Sequence, residues 1–222
     1  MTPLQRPRVV VLISGKGSNL QAIIDAAQAD LPIQITAVIS NRAGAFGLER
    51  ASSAGIETAI LDHNEYQDRS SYDQALMTLI DGYNPDLLVL AGFMRILTNE
   101  FVGHYAGRML NIHPSLLPKY TGLRTHSQAL AAGDKLHGAS IHFVTEKLDG
   151  GPLIAQAQVT VLAQDNADSL AKRVLEKEHQ LYPLALRWFA EERLKLNENG
   201  EVILDNRILQ QPVVFTPQDP IR

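Results

Sequence analysis

Val9-Val10-Val11-Leu12-Ile13-Ser14-Gly15-Lys16-Gly17-Ser18-Asn19-Leu20-Gln21-Ala22-Ile23-Ile24 is the stretch on which the fold turns. An unbroken apolar run, largely β-branched, ends in a glycine-rich turn. The turn opens a segment, Asn19 to Ala29, in which Leu20, Ile23, Ile24 and Ala27 recur at helical spacing. A strand without polar alternation is buried on both faces, as in a parallel sheet covered by helices on each side.

Outward from this unit, the chain keeps alternating. Ile35 to Ser40 reads as a second strand, Phe46 to Ala54 as a helix with Gly55 as its C-cap, and Thr58 to Leu61 as a short third strand. Ser71 to Tyr83 is helical, with Tyr72, Leu76, Leu79 and Ile80 on one side. Asp86 to Leu90 and Met109 to Ile112 give two more strands, separated by a short helix near Thr98 to Tyr105. The alternation predicts an α/β fold built on a doubly wound, mostly parallel sheet.

Past the prolines at 114 and 118 the rhythm changes. A short helix spans His126 to Ala132, and strands at Ser140 to Val144 and Leu153 to Val161 flank the turn Asp149-Gly150-Gly151-Pro152. That connection is too short for a crossover helix, so the two strands should pair antiparallel. Ser169 to Glu191 reads as a long helix with a kink at Pro183. From Glu201 the tail should add a short edge hairpin. No repeat or linker divides the chain, so a single domain over 1–222 is expected, with residues 196–222 as a C-terminal extension.

Composition narrows the function. Of 222 residues, 45% are hydrophobic and 20% charged, an ordinary globular balance. A net charge of -4 and a pI near 6.0 argue against a general nucleic-acid binder, which needs a basic surface. There is no cysteine, which excludes disulfides, thiolate nucleophiles and cysteine-type zinc sites. The apolar run after Arg8 is too short for a signal-peptide core or membrane span, so a soluble cytoplasmic protein with no membrane partner is expected.

Two stretches carry chemistry. The turn Ser14-Gly15-Lys16-Gly17-Ser18-Asn19 offers backbone N–H groups and a helix N-terminus to an anion, with side-chain donors from Ser18 and Asn19. It is neither a dinucleotide fingerprint nor a Walker loop, so one phosphate suits it better than a pyrophosphate. The plainer reading is a tight turn with Ser18 as helix cap.

The second stretch is Asn111-Ile112-His113-Pro114-Ser115-Leu116-Leu117-Pro118, where an amide and an imidazole two residues apart share one face of a strand. Pro114 should end that strand at His113, the strand-end position where α/β enzymes tend to place their chemistry. Asn111 can donate to a developing oxyanion, and His113 can exchange protons near neutral pH. Asp149 is the best carboxylate to orient the imidazole. Ser115 lies between prolines without a nucleophile elbow and is not expected to act covalently. His126, His137 and His142 compete with His113 but match no metal motif, and no metal is expected.

With both stretches in view, the chain closely resembles the phosphoribosylglycinamide formyltransferases, the folate-dependent glycinamide ribonucleotide transformylases of purine synthesis. The resemblance spans roughly residues 8 to 195. It rests on Gly17-Ser18-Asn19-Leu20-Gln21-Ala22-Ile23, Ser40-Asn41, Ala91-Gly92-Phe93-Met94-Arg95-Ile96-Leu97, the Asn111 to Pro118 block, His137-Gly138, His142-Phe143-Val144 and Leu148-Asp149-Gly150-Gly151-Pro152. Thr121-Gly122-Leu123-Arg124 departs from the Pro-Gly-Leu-His of bacterial relatives, and Lys16 fills a variable position.

The resemblance implies a Rossmann-like formyltransferase fold and transfer of a formyl group from 10-formyltetrahydrofolate to the amine of glycinamide ribonucleotide. It implies Asn111, His113 and Asp149 as catalytic groups, and Gly17, Ser18, Asn19, Leu20, Gln21 and Glu178 as ribonucleotide contacts. Arg69, Met94, Arg95, Ile96, Leu97, Asn111 and the loop Thr145, Glu146, Lys147, Leu148 and Asp149 would hold the folate. Partners would be small molecules only, the state a monomer or homodimer, and no metal would take part. A formyltetrahydrofolate hydrolase, expected to carry a further N-terminal domain, and a catalytically silent nucleotide-binding module are the alternatives. A methionyl-tRNA formyltransferase should carry a further, basic C-terminal domain.

Overall fold

A computed structural model describes residues 6–221. The opening run forms β1 (Arg8–Ile13), and Val9 to Ile13 within it are wholly buried. It lies between β2 (Gln34–Ser40) and β4 (Leu87–Leu90), parallel to both. Among the described residues the main sheet has eight strands in the order β11-β7-β6-β5-β4-β1-β2-β3. Here β3 is Thr58–Ile60, β5 Met109–His113, β6 Leu136–Phe143, β7 Leu153–Thr160 and β11 Val213–Phe215. In this sheet, among the described residues, β6 alone runs antiparallel to both of its neighbours, which bears out the expected antiparallel pairing with β7.

Side-chain alternation along β1 sorts the core into two layers. Val9, Val11 and Ile13 join Leu20, Ile23 and Ile24 of α1 (Ser18–Ala29), Leu48 of α2 (Phe46–Ser53) and Leu170, Leu181 and Trp188 of α6 (Ala167–Ala190). Val10 and Leu12 face Tyr72, Leu76 and Ile80 of α3 (Arg69–Asp81) and Phe101 of α4 (Asn99–His104). Helices thus cover both faces, which explains why β1 carries no polar residue between Val9 and Ile13. A fifth helix, α5 (Thr125–Ala131), links the proline-containing loop to β6.

Helix α6 passes through Pro183 and continues to Ala190. Its Tyr182 hydroxyl reaches the Leu90 carbonyl (3.1 Å) and the Leu110 carbonyl (2.9 Å), tying the helix to the end of β4 and the start of β5. The tail is richer than the expected hairpin. β8 (Leu194–Leu196), β9 (Val202–Leu204) and β10 (Arg207–Ile208) make a small antiparallel sheet. Beyond them β11 returns to the main sheet beside β7. Asp205 and Asn206, both with positive φ (52° and 62°), form the tight turn between β9 and β10.

The sheet order reverses at β1 and β4, since the chain runs outward through β2 and β3 before crossing back to β4 and β5. Ligands of open α/β sheets bind at such a reversal, beyond the carboxyl ends of the strands. The Gly15–Asn19 turn, the Ala91–Leu97 segment and His113 all lie at those ends.

Candidate active site

The glycine-rich turn is built by backbone. Gly17 adopts the left-handed conformation (φ 68°) as N-cap of α1, and no side chain caps the helix. Ser18 is the first helical residue rather than the cap, so the first-turn N–H groups stay available to an anion. A Cβ at Gly17 would lie 2.6 Å from Gly47 Cα, so the turn presses against α2 and admits only glycine. Arg50, missed in the sequence, clamps the turn: its Nε donates to the Lys16 carbonyl (3.0 Å) and its Nη1 to Gln21 Oε1 (3.0 Å).

Asn19 and Glu178 meet across α1 and α6. Asn19 Nδ2 donates to Glu178 Oε2 at 2.7 Å, and both side chains are buried. One amide hydrogen expected to be free for an anion is therefore committed to Glu178, while Asn19 Oδ1 has no partner. Burial pushes the Glu178 carboxyl above its ordinary range, and the Asn19 bond offsets this in part. His179, next on α6, borders a cavity with Ser18, Gln21, Asp25 and Arg50, and its buried Nε2 is unpartnered. Nothing in the sequence spacing marked it.

Across the reversal point, Ser14 joins the two loops. The Met94 amide donates to Ser14 Oγ (2.8 Å), which donates in turn to Asn41 Oδ1 (2.6 Å). Arg95 stacks over the Tyr72 ring at 4.5 Å, while Met94 and Ile96 are 66% and 57% exposed beside it. Leu148, on the turn after β6, is likewise 51% exposed. Large apolar side chains left open at strand ends are suited to a planar, partly apolar ligand. Arg69, the first residue of α3, is exposed and close enough to influence the buried Asp73 carboxyl.

Asn111 and His113 share a face as their spacing predicts, and Asp149, the carboxylate offered for the imidazole, lies beside His113. Asn111 and His113 lie on one face of β5, and the strand ends at His113. His113 Nδ1 is 3.5 Å from Asp149 Oδ2, with the two side chains only 7% and 8% exposed. His113 Nε2 is 2.8 Å from the Tyr120 carbonyl. A carbonyl only accepts, so Nε2 carries hydrogen and donates to Tyr120, while Asp149 faces Nδ1 at ion-pair distance. Asp149 has positive φ (49°) in its turn, and its Oδ2 also accepts from the Gly122 amide at 2.8 Å.

His142, weighed in the sequence only as a rival catalyst or ligand, orients Asn111. The His142 Nδ1 donates to the Phe143 carbonyl (2.8 Å), and burial holds its pKa below the ordinary histidine value. In the neutral ring Nε2 is then a bare acceptor, and Asn111 Nδ2 donates to it at 3.2 Å. This fixes which end of the amide is the donor and leaves one N–H free. His126 and His137 pair with each other, Nδ1 to Nε2, at 3.0 Å. Ser115 Oγ donates to the Lys119 carbonyl at 2.8 Å and so braces the proline-containing loop.

This arrangement sets a helix terminus with no side-chain cap, an amide with one free N–H and an imidazole facing two acceptors along one rim of the sheet. The sequence matches the formyl transferase family profile over residues 7–186. It is 56% identical over 204 residues to the phosphoribosylglycinamide formyltransferase of Escherichia coli (strain K12), covering 91% of this chain and 96% of that protein. The phosphoribosylglycinamide formyltransferase of Haemophilus influenzae is 46% identical over 193 residues, covering 86% and 91%. A solved phosphoribosylglycinamide formyltransferase from Coxiella burnetii, in complex with CHES, superposes with a TM-score of 0.91 at 54% identity, over 95% of this chain and 99% of that one.

Proposed function

The chain belongs to the formyl transferase family, and from that membership we propose that it moves the formyl group of 10-formyltetrahydrofolate onto the primary amine of phosphoribosylglycinamide, in purine biosynthesis. The observation that carries the reading is His113 set against Asp149, with Asn111 on the same face of β5 and the uncapped α1 terminus on the same rim of the sheet. The same reading has the enzyme acting in the cytoplasm on two small molecules, as a monomer or homodimer.

In this proposal the first-turn amides from Ser18 to Leu20 hold the phosphate, and Glu178 accepts from the ribose hydroxyls. The exposed apolar rim of Met94, Ile96 and Leu148 receives the pterin, with Arg69, Arg95, Leu97 and the Thr145 to Asp149 loop around it. The amine attacks the formyl carbon and forms the C–N bond, and the carbonyl electron pair moves onto oxygen. Asn111 donates its free N–H to that oxyanion, and His113, whose two N–H groups face Tyr120 and Asp149, adds the positive charge of its doubly protonated ring. Asp149 keeps the second ring nitrogen in its charged partnership. Collapse breaks the bond to the folate nitrogen, which takes up a proton while the attacking nitrogen loses one through water. Fixing both substrates on one rim supplies the proximity advantage, and no enzyme nucleophile is needed.

Incubation with both substrates tests the reading: a formylated ribonucleotide should appear by mass, and Asp149→Asn should abolish most of it. Wild-type yield from Asp149→Asn would remove that carboxylate from the mechanism.

A further inference from the structure

We propose that Tyr120 and Asp134 form a latch that positions His113, a role that rests on the formyl-transfer reading above. Tyr120 holds a left-handed backbone (φ 59°), a conformation that a bulky side chain keeps only where its surroundings impose it. The phenol imposes it: its hydroxyl donates to Asp134 Oδ2 at 2.6 Å. Asp134 lies between α5 and β6, and its own amide donates to the Ala129 carbonyl (3.1 Å), so the anchor point is part of the helix end.

The strained residue is the one whose carbonyl meets His113 Nε2 at 2.8 Å. Two residues on, the Gly122 amide donates to Asp149 Oδ2. Residues 120–122 therefore touch both the imidazole and the carboxylate, and the phenol fixes the near end of that bridge. Lys119 also reaches Asp134 (2.8 Å), but its side chain is 62% exposed and such a pair contributes little. Neither Tyr120 nor Asp134 is assigned contact with the reacting atoms. Both are positioning residues, acting through a backbone carbonyl.

Steady-state kinetics of Tyr120→Phe, Asp134→Ala and their combination, in the wild-type and His113→Ala backgrounds, test the latch. Each single variant should lower kcat about 10-fold, as expected for a catalytic group displaced by a fraction of an ångström, with both KM values within about twofold. The double variant should lose no more than either single one, because they break one contact. Asp134→Asn, which keeps an acceptor for the phenol, should recover most of the turnover, and Lys119→Ala should stay near wild type. In the His113→Ala background the substitutions should have no further effect. Wild-type kcat in Tyr120→Phe, a loss in Lys119→Ala equal to that in Tyr120→Phe, or an undiminished effect without His113 would each overturn the latch. Absence of formyl transfer by the wild type would instead overturn the functional reading. Hydrogen exchange would then decide the latch: faster exchange of the Gly122 amide in Tyr120→Phe supports it, and unchanged exchange refutes it.

Discussion

Replacing Asn111 with alanine takes away the N–H left free after its bond to His142, and turnover should fall about 10²- to 10³-fold with little change in either KM. Near wild-type turnover would dismiss the amide from the reaction. Glu178→Gln separates binding from chemistry: the ribonucleotide KM should rise more than kcat changes, and an effect confined to folate KM would move Glu178 out of the acceptor site. At this scale the placement of these side chains was legible, because strand periodicity puts Asn111 and His113 on one face and a glycine-rich turn leaves Asp149 free to fold back towards His113. The orienting role of His142 was not, since it depends on the register that sets Asn111 opposite it on β6. Arg50, His179 and the Tyr120 carbonyl escaped for the same reason: tertiary contact, not local spacing, brings each to the site.

Among the elements, the turn from β1 to α1 makes the sharpest demand. Gly17→Ala would place a side chain in the left-handed region and against Gly47, costing at least about 1–2 kcal/mol and weakening phosphate binding in the same step. A thermal melt unchanged from wild type would contradict that. The contact between α5 and β6 predicts a pH dependence. Burial first, then neighbouring His126, lowers the His137 pKa from an ordinary 6.5 to about 4. The folded state thus prefers the neutral ring, so its stability is whole above about 6.5 and is lost as pH falls towards about 4. His137→Gln should flatten the decline in melting temperature over that window, and an identical slope would refute the assignment. Periodic helices and apolar strands were readable from the sequence, whereas helix starts slipped. α3 begins at Arg69 because Asp68 accepts from the Ser71 amide, and α6 begins at Ala167 because Asn166 and Ser169 cap each other.

For the whole molecule, topology gathers what the sequence scatters: the β1 turn, the β4 loop and the end of β5 become neighbours because strand order reverses between β1 and β4. The strand order came only with the structure, but the doubly wound, mostly parallel sheet followed from alternating strands and helices. The return of β11 did not, since a three-residue strand reached after a small separate sheet leaves little periodic signal. Its pairing covers the outer edge of β7, whose Gln156 also donates to the Leu117 carbonyl beneath the proline-containing loop (2.8 Å). Removing residues 212–222 should expose that edge and raise aggregation in light scattering, and equal monodispersity would contradict the role given to β11. The most direct test of the account is tetrahydrofolate release from 10-formyltetrahydrofolate, measured with and without glycinamide ribonucleotide. Direct transfer predicts one tetrahydrofolate per formylated ribonucleotide and negligible release when the ribonucleotide is withheld, whereas release at the same rate in its absence would make water the acceptor and contradict the account.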